Sequence, residues 1–144
     1  MAKLLLLDVE EQQVKEVECN DLQDYYKYID CQCIDIKSVF IINREKKSGI
    51  WIDVIFNAEL DLESKEKIPS VLLLQNKKFE PYLFGNILFA RHNNKSEILD
   101  LTKFQLDFCK SCIEQIPFEI INEQTNLDIT MHCKMCIVSL DAKV

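Results

Sequence analysis

Two glycines in 144 residues, Gly49 and Gly85, leave no room for a phosphate-cradling loop. Such loops bring several glycines together so that backbone N–H groups can approach the phosphates. Rossmann-type and Walker-type nucleotide sites are excluded on that ground. Long apolar runs are missing as well. The opening run of four leucines, 4–7, stops at Asp8 and is too short for the core of a signal peptide. No stretch approaches the ~18 apolar residues that a membrane span requires. The expectation is a cytoplasmic protein with no membrane partner. There is no Gly-x-Ser-x-Gly elbow, no His-Glu-x-x-His and no acidic calcium loop. With these motifs absent, no cofactor and no enzymatic activity are expected.

A surplus of basic charge is lacking too. Twenty-four acidic and 17 basic residues give a net charge of -7. A negative field repels phosphate, so nucleic acid is not the expected partner, whereas a basic macromolecule would be attracted. The acids are mixed with lysines, as in Glu63-Ser64-Lys65-Glu66-Lys67, and form none of the dense carboxylate rows of a DNA mimic. Apolar residues make up 48% of the chain and charged residues 28%, the balance of a folded globular domain. The length suits one domain over residues 1–144, with no linker or repeat to divide it.

The elements follow from hydrophobic periodicity. Residues 2–8 and 14–19 predict an N-terminal hairpin around the polar stretch 10–13. Residues 20–29 predict a helix with Asn20 or Asp21 as N-cap and an apolar face of Leu22, Tyr25, Tyr26 and Ile29. Residues 31–36 and 39–42 read as strand. A charged loop ending at Gly49 then leads to the β-branched and aromatic strand 50–56, giving a second hairpin. Residues 71–74 predict a short strand, and 82–90 one strand with a bulge at Gly85. The longest helix is expected over 101–116, capped by Thr102 and stopped by Pro117. Residues 128–140 close the chain as strand. Hairpin neighbours and few helices predict an α+β fold: a mostly antiparallel sheet with two main helices packed on one face.

Seven cysteines, an odd count without a secretion signal, imply free thiols in a reducing compartment. The sharpest motif is a pair of Cys-x-x-Cys sequences, Cys109/Cys112 and Cys133/Cys136, with twenty residues between the inner cysteines. That spacing lies at the edge of the four-thiolate zinc pattern. Zinc would need each pair on a tight turn. The first pair falls inside a predicted helix and the second in a predicted strand, where i and i+3 face opposite ways. Buried thiols acting as small apolar residues are the simpler expectation. A redox role is disfavoured because Cys109 lies well inside its helix, away from the N-terminal dipole. Cys31 and Cys33 are expected on one strand face.

The remaining candidates are single side chains. His92 is expected to be a solvated loop residue, and His132 cannot readily pair with its neighbour Cys133 across a strand. Asp53 is either a buried carboxylate or, as expected, the solvent-facing position of an amphipathic strand. Arg44, Lys46, Lys47 and Arg91 are the plausible donors for an anionic ligand. Most aromatics are expected in the core. Tyr28 falls off the apolar face of its helix and is the one expected at a protein interface.

The pieces also occur in a familiar order. Ala2-Lys3-Leu4-Leu5-Leu6-Leu7-Asp8-Val9, Asp21-Leu22-Gln23-Asp24-Tyr25-Tyr26 and Cys33-Ile34-Asp35-Ile36 come first. Asp53-Val54-Ile55-Phe56-Asn57-Ala58-Glu59-Leu60, Leu83-Phe84-Gly85-Asn86-Ile87-Leu88-Phe89 and Leu99-Asp100-Leu101-Thr102 follow. Over roughly residues 2 to 116, this order resembles a domain-of-unknown-function family of phages and mobile elements in low-GC Gram-positive bacteria. The chain has Asn57-Ala58-Glu59 where that pattern would place an Asp-Glu-Gly turn. The resemblance implies a setting and no reaction: a small accessory protein in a bacterial cytoplasm. The functional expectation is a non-enzymatic binding protein, an inhibitor of a bacterial defence system being one form. Its partner would be a host or element-encoded protein, and it could form a homo-oligomer. The alternatives are an oligomeric sponge for a nucleotide signal, and a small zinc protein built on the two Cys-x-x-Cys motifs.

Overall fold

Apolar residues follow one another along the central strands, so that both faces of one sheet are loaded. A computed structural model describes residues 2–43, 45–59, 69–75, 78–95, 97–113 and 136–143. The elements run β1 (Ala2–Asp8), β2 (Gln13–Cys19), α1 (Leu22–Ile29), β3 (Ile34–Asn43) and β4 (Ser48–Asn57). They continue with β5 (Pro69–Gln75), β6 (Lys78–Phe84), β7 (Ile87–His92), β8 (Ile98–Leu99), α2 (Lys103–Cys112) and β9 (Ile137–Lys143). The strands form a sheet in the order β2-β1-β7-β4-β3-β9-β5-β6, with β8 paired to β7 at the side. The β5–β9 pair is parallel. Every other described pair is antiparallel. The α+β class with a mostly antiparallel sheet and two helices is therefore as the sequence implies.

Both expected hairpins form. Gln13 to Cys19 run back along Ala2 to Asp8, and Ile34 to Asn43 along Ser48 to Asn57 in unbroken register. The expected single strand over 82–90 is two strands. Gly85 takes a left-handed φ of 76°, which a side-chain-free residue adopts at little cost, and the chain turns there. Asn86 then fixes the turn, accepting from the Val9 N–H at 3.2 Å and donating to the Tyr28 carbonyl at 3.2 Å. The preceding strand, β6, is a sheet edge, which is why Pro81 is tolerated within it.

The helices do not share a face. In β1, Leu5 and Leu7 enter one cluster while Leu4 and Leu6 enter another. In β7, Ile87 and Phe89 part from Leu88 and Ala90 in the same way. One cluster takes Cys109 and Cys112 from α2, and the other takes Ile29, Tyr25 and Tyr28 from α1. Because strand side chains alternate between faces, α1 and α2 cover opposite sides of the sheet. This corrects the expectation of one shared face. Near-continuous apolar runs such as Leu4 to Leu7 and Ile87 to Ala90 are the signature of a sheet buried on both sides.

Helix α1 is capped by Asp21, whose side chain accepts from the Asp24 N–H at 3.2 Å. It ends at Asp30 in left-handed backbone. Tyr28 is half-buried and packs on the α1-side cluster, whereas Leu22 is 49% exposed. The buried stripe is Tyr25, Tyr28 and Ile29, at i, i+3 and i+4. The interface position expected for Tyr28 is thus a packing position. Helix α2 has the expected Thr102 cap, closed reciprocally by Gln105. It stops at Cys112, earlier than expected, because Ile113 turns to extended backbone. Residues 114–116 and the expected strand residues 128–135 lie outside the described residues.

Candidate functional site

The β3–β4 ladder builds one side of the site rung by rung. On the α1 side of the sheet, register pairs Ile36 with Ile55, Ser38 with Asp53, Phe40 with Trp51 and Ile42 with Gly49. Ile55 belongs to the α1-side cluster, and the period of two carries the other rungs to the same face. Asp53 is opposite Ala90 of β7, and His92 lies two residues beyond it. One face thus carries, side by side, a polar trio, an aromatic pair and the foot of a hairpin.

The trio consists of Ser38, Asp53 and His92. Asp53 is 5% exposed, so its carboxylate is removed from water. Ser38 Oγ donates to Asp53 Oδ1 at 2.8 Å, and Asp53 Oδ2 pairs with His92 Nδ1. The bland expectations for both residues fail here. Asp53 is buried because its neighbour strands β3 and β7 each bring it a partner. His92 closes β7 and is held by that carboxylate, with half of its side chain still exposed. A carboxylate on Nδ1 orients an imidazole, as in hydrolase triads. The order of groups differs from a triad, however. The serine bonds the carboxylate and not the imidazole, so it is not set to be activated as a nucleophile. The trio orients groups and satisfies a buried charge.

Beside it, the Phe40 and Trp51 rings lie 5.3 Å apart between centroids at an interplanar angle of 59°. This is the tilted arrangement that suits the ring quadrupoles. Trp51 remains 50% exposed, Ile36 43% and Leu140 47%. Glycine suits residue 49 at its rung: a Cβ there would sit 2.6 Å from the Phe40 ring and 2.8 Å from the Ile41 carbonyl, which belongs to the backbone and cannot simply swing aside. Leu140 comes from β9, where the register with β3 shifts between Phe40 and Ile41. A cleft of about 400 Å³ opens next to Phe40, lined also by Ile42, Asn43, Lys47, Ser48, Gly49, Leu74 and Leu140.

The hairpin loop at the mouth of the cleft is tied down. Asn43 is buried, and its Oδ1 accepts from the Glu45 and Lys46 N–H groups at 3.1 and 3.0 Å. Its Nδ2 donates to Ser111 Oγ of α2 at 3.2 Å. Lys47 is held at a φ of 52°, in the left-handed region that disfavours a side chain.

Of the four basic candidates, Lys47 lines the cleft and Lys46 is its chain neighbour. Arg44 lies outside the described residues. Arg91 is elsewhere: by strand alternation it sits on the face opposite Asp53, and its Nε donates to the Asp100 carbonyl. The expected four-residue basic pocket is therefore not assembled. Among the thiols, Cys109, Cys112 and Cys136 are all buried. Burial, with a smaller contribution from Cys112, pushes the Cys109 thiol up to about 12, which makes it a poor nucleophile. Among the described residues, no group of three or more His, Cys, Asp or Glu side chains could hold a metal ion. Cys133, the fourth member of the proposed zinc set, and His132 lie outside the described residues.

Trp51, expected in the core with most aromatics, is half exposed instead, because β-branched and aromatic content marks a strand without saying which of its residues is left uncovered. No protein-family model, no curated protein and no solved structure matches the chain.

Proposed function

We propose that the chain is a non-enzymatic binding protein that engages a protein partner through the sheet face around Phe40 and Trp51. The observation that carries this reading is an exposed apolar strip on one sheet face: Trp51, 50% exposed, and Leu140, 47% exposed, flank Phe40 from the two neighbouring strands, and Ile36, 43% exposed, lies two rungs further along β3. Half-exposed aromatics with aliphatic neighbours are the composition of interface centres, where Trp is enriched. The net charge of -7 favours a partner whose rim is basic. The order of sequence pieces noted above supports the wider setting: an accessory protein of a phage or mobile element in a bacterial cytoplasm. The partner would be a host or element-encoded protein, a component of a defence system among them. Among the described residues no helix is long and apolar enough to cross a membrane.

Trp51 is the chain's single tryptophan and makes the test direct. Capture from host lysate is compared between the natural chain and Trp51→Ser combined with Ile36→Ser. A specific partner should be captured by the first and lost with the second, while the melting temperature of the variant stays close to that of the natural chain. With the purified partner, Trp51 emission should shift to shorter wavelength as water leaves the ring. Retained capture by the double variant, or unchanged emission on binding, sinks the reading. A second copy of the chain on this face would show instead as a concentration-dependent mass that the double variant lacks.

A further inference from the structure

We propose that the cleft at the foot of the β3–β4 hairpin is a small-molecule site for a planar aromatic ring carrying an anionic group, of about mononucleotide size. The claim goes beyond protein binding and needs no protein partner. Three features of the cleft carry it.

The first is its shape and lining. Its volume of about 400 Å³ is of the size that takes small ligands. Phe40, Ile42, Leu74 and Leu140 give apolar walls, while Lys47 and Ser48 put the polar groups at the hairpin end; Asn43 also borders the cleft, with its side chain engaged by the loop backbone and Ser111. That is the division a ring with a charged substituent requires: stacking and apolar contact for the body, donors for the anion.

The second is how the ring wall is held. Phe40 lies close over residue 49, where a Cβ would also meet the Ile41 carbonyl at 2.8 Å, so glycine leaves room for the ring. The ring also rests against Trp51, on the same strand as residue 49, 5.3 Å away. A ring packed against β4 along this length is already in place before a ligand arrives, so little ordering remains to be done on binding.

The third is the cation. Lys47 sits in left-handed backbone, where glycine would be the relaxed choice, and the loop that holds it is pinned by Asn43 to both its own backbone and α2. A lysine kept in a conformation that disfavours it places a positive charge at the mouth of an apolar cleft, in a chain whose net charge is -7. Lys46 beside it adds to the local positive potential. Backbone held out of its preferred region is a feature of ligand clamps.

The experiment is a titration of the ¹⁵N-labelled full chain, followed by amide shifts, with two ring anions of different origin: adenosine 5′-monophosphate and 1-naphthoate. Inorganic phosphate and adenosine serve as the anion-only and ring-only arms. The expected result is saturable shifts at Lys47, Ser48, Gly49, Leu74 and Leu140 with at least one ring anion. Affinity for that anion should be about tenfold or more above that of either half-ligand. Binding of the nucleotide alone would assign the site to nucleotides, and binding of both would assign it to aryl anions in general. Lys47→Gly should weaken binding about tenfold while leaving stability unchanged or raised, because it removes the cation and relaxes the backbone. Leu140→Asp, which sets a carboxylate against the anion on a different strand, should abolish binding. Lys47→Arg should retain it. No saturable shift at the cleft with either ring anion overturns the proposal, as does equal affinity for adenosine and its monophosphate, or unchanged affinity in Lys47→Gly. A failed partner capture leaves all of these readings intact, and a failed titration leaves the protein-binding reading intact.

Discussion

Asp53 is a carboxylate taken out of water and given two partners, one from each neighbouring strand. Its removal and the removal of a partner should not cost the same. Asp53→Ala leaves Ser38 and His92 without their acceptor at a site where water is scarce, and should cost about 1–3 kcal/mol. His92→Ala leaves Asp53 still bonded to Ser38, and its imidazole was already half exposed, so the cost should be smaller. Because the two side chains are in direct contact, the double variant should be less destabilised than the sum, with a coupling of about 0.5–3 kcal/mol. Urea denaturation of the four proteins in the cycle measures it. Strict additivity would show that the pair contributes nothing specific. None of this was legible around His92, whose neighbours Arg91, Asn93, Asn94 and Lys95 are all polar. The partner is 39 residues away in sequence and meets His92 only because β7 inserts between β1 and β4. Asp53 was half legible: a carboxylate in an apolar strand announces an exception, but not which way it will be resolved.

At the scale of elements, what could be read was whatever depends on neighbours in sequence. The caps of α1 and α2 were found because Asp21 with Asp24 and Thr102 with Gln105 are local arrangements. Both hairpins were found because polar loops separate runs of strand-forming residues. The break at Gly85 and Asn86 was missed because the apolar run passes straight through it. Asn86 shows its purpose only once Val9 and Tyr28 are beside it. The burial of the α2 thiols follows the expectation that an unpaired cysteine acts as a small apolar residue, and it carries a pH dependence. Burial raises Cys109 from 9.0 to about 12. It also raises Cys19 to about 11, with a smaller contribution from Asp24. The unfolded chain therefore loses these protons first, and the folded state resists. Stability is fully present below about pH 9 and falls as pH rises through the folded values. The urea midpoint should drop between neutral pH and about pH 10.5, and the drop should shrink in a Cys19→Ala, Cys109→Ala double variant. An equal drop in that variant would place the alkaline sensitivity elsewhere. In the same protein under native conditions, Cys33, which is exposed, should react with a thiol reagent well before Cys109, Cys112 and Cys136.

The whole sheet depends on its last described strand. β9 runs antiparallel to β3 and parallel to β5, so the β5–β6 hairpin joins the rest of the ladder only through it. The sheet is also curled: Lys37 Nζ lies 5.5 Å from the Phe56 ring centre of β4 and 5.0 Å from that of Tyr82 on β6, strands far apart in the sheet order. Val71 and Leu83 share a cluster with Val54 and Phe56 across that curl. Two kinds of contact therefore hold the β5–β6 hairpin, ladder bonds through β9 and side-chain packing across the curl, and they can be separated. Removing residues 137–143 deletes the buried Ile137 and Val138, a loss of roughly 3–6 kcal/mol by area alone. It also bares the edges of β3 and β5 together. The part from β2 to β3 keeps its own ladder and α1, whereas the hairpin keeps only its packing across the curl. The truncated chain should lose the single cooperative transition, with amides of β5 and β6 exchanging much faster than those of β1, β4 and β7. Bared edges of this length pair readily with other chains, so it should also self-associate at high concentration. Uniform exchange with an unchanged urea midpoint would mean that the curl, and not the inserted strand, unites the molecule.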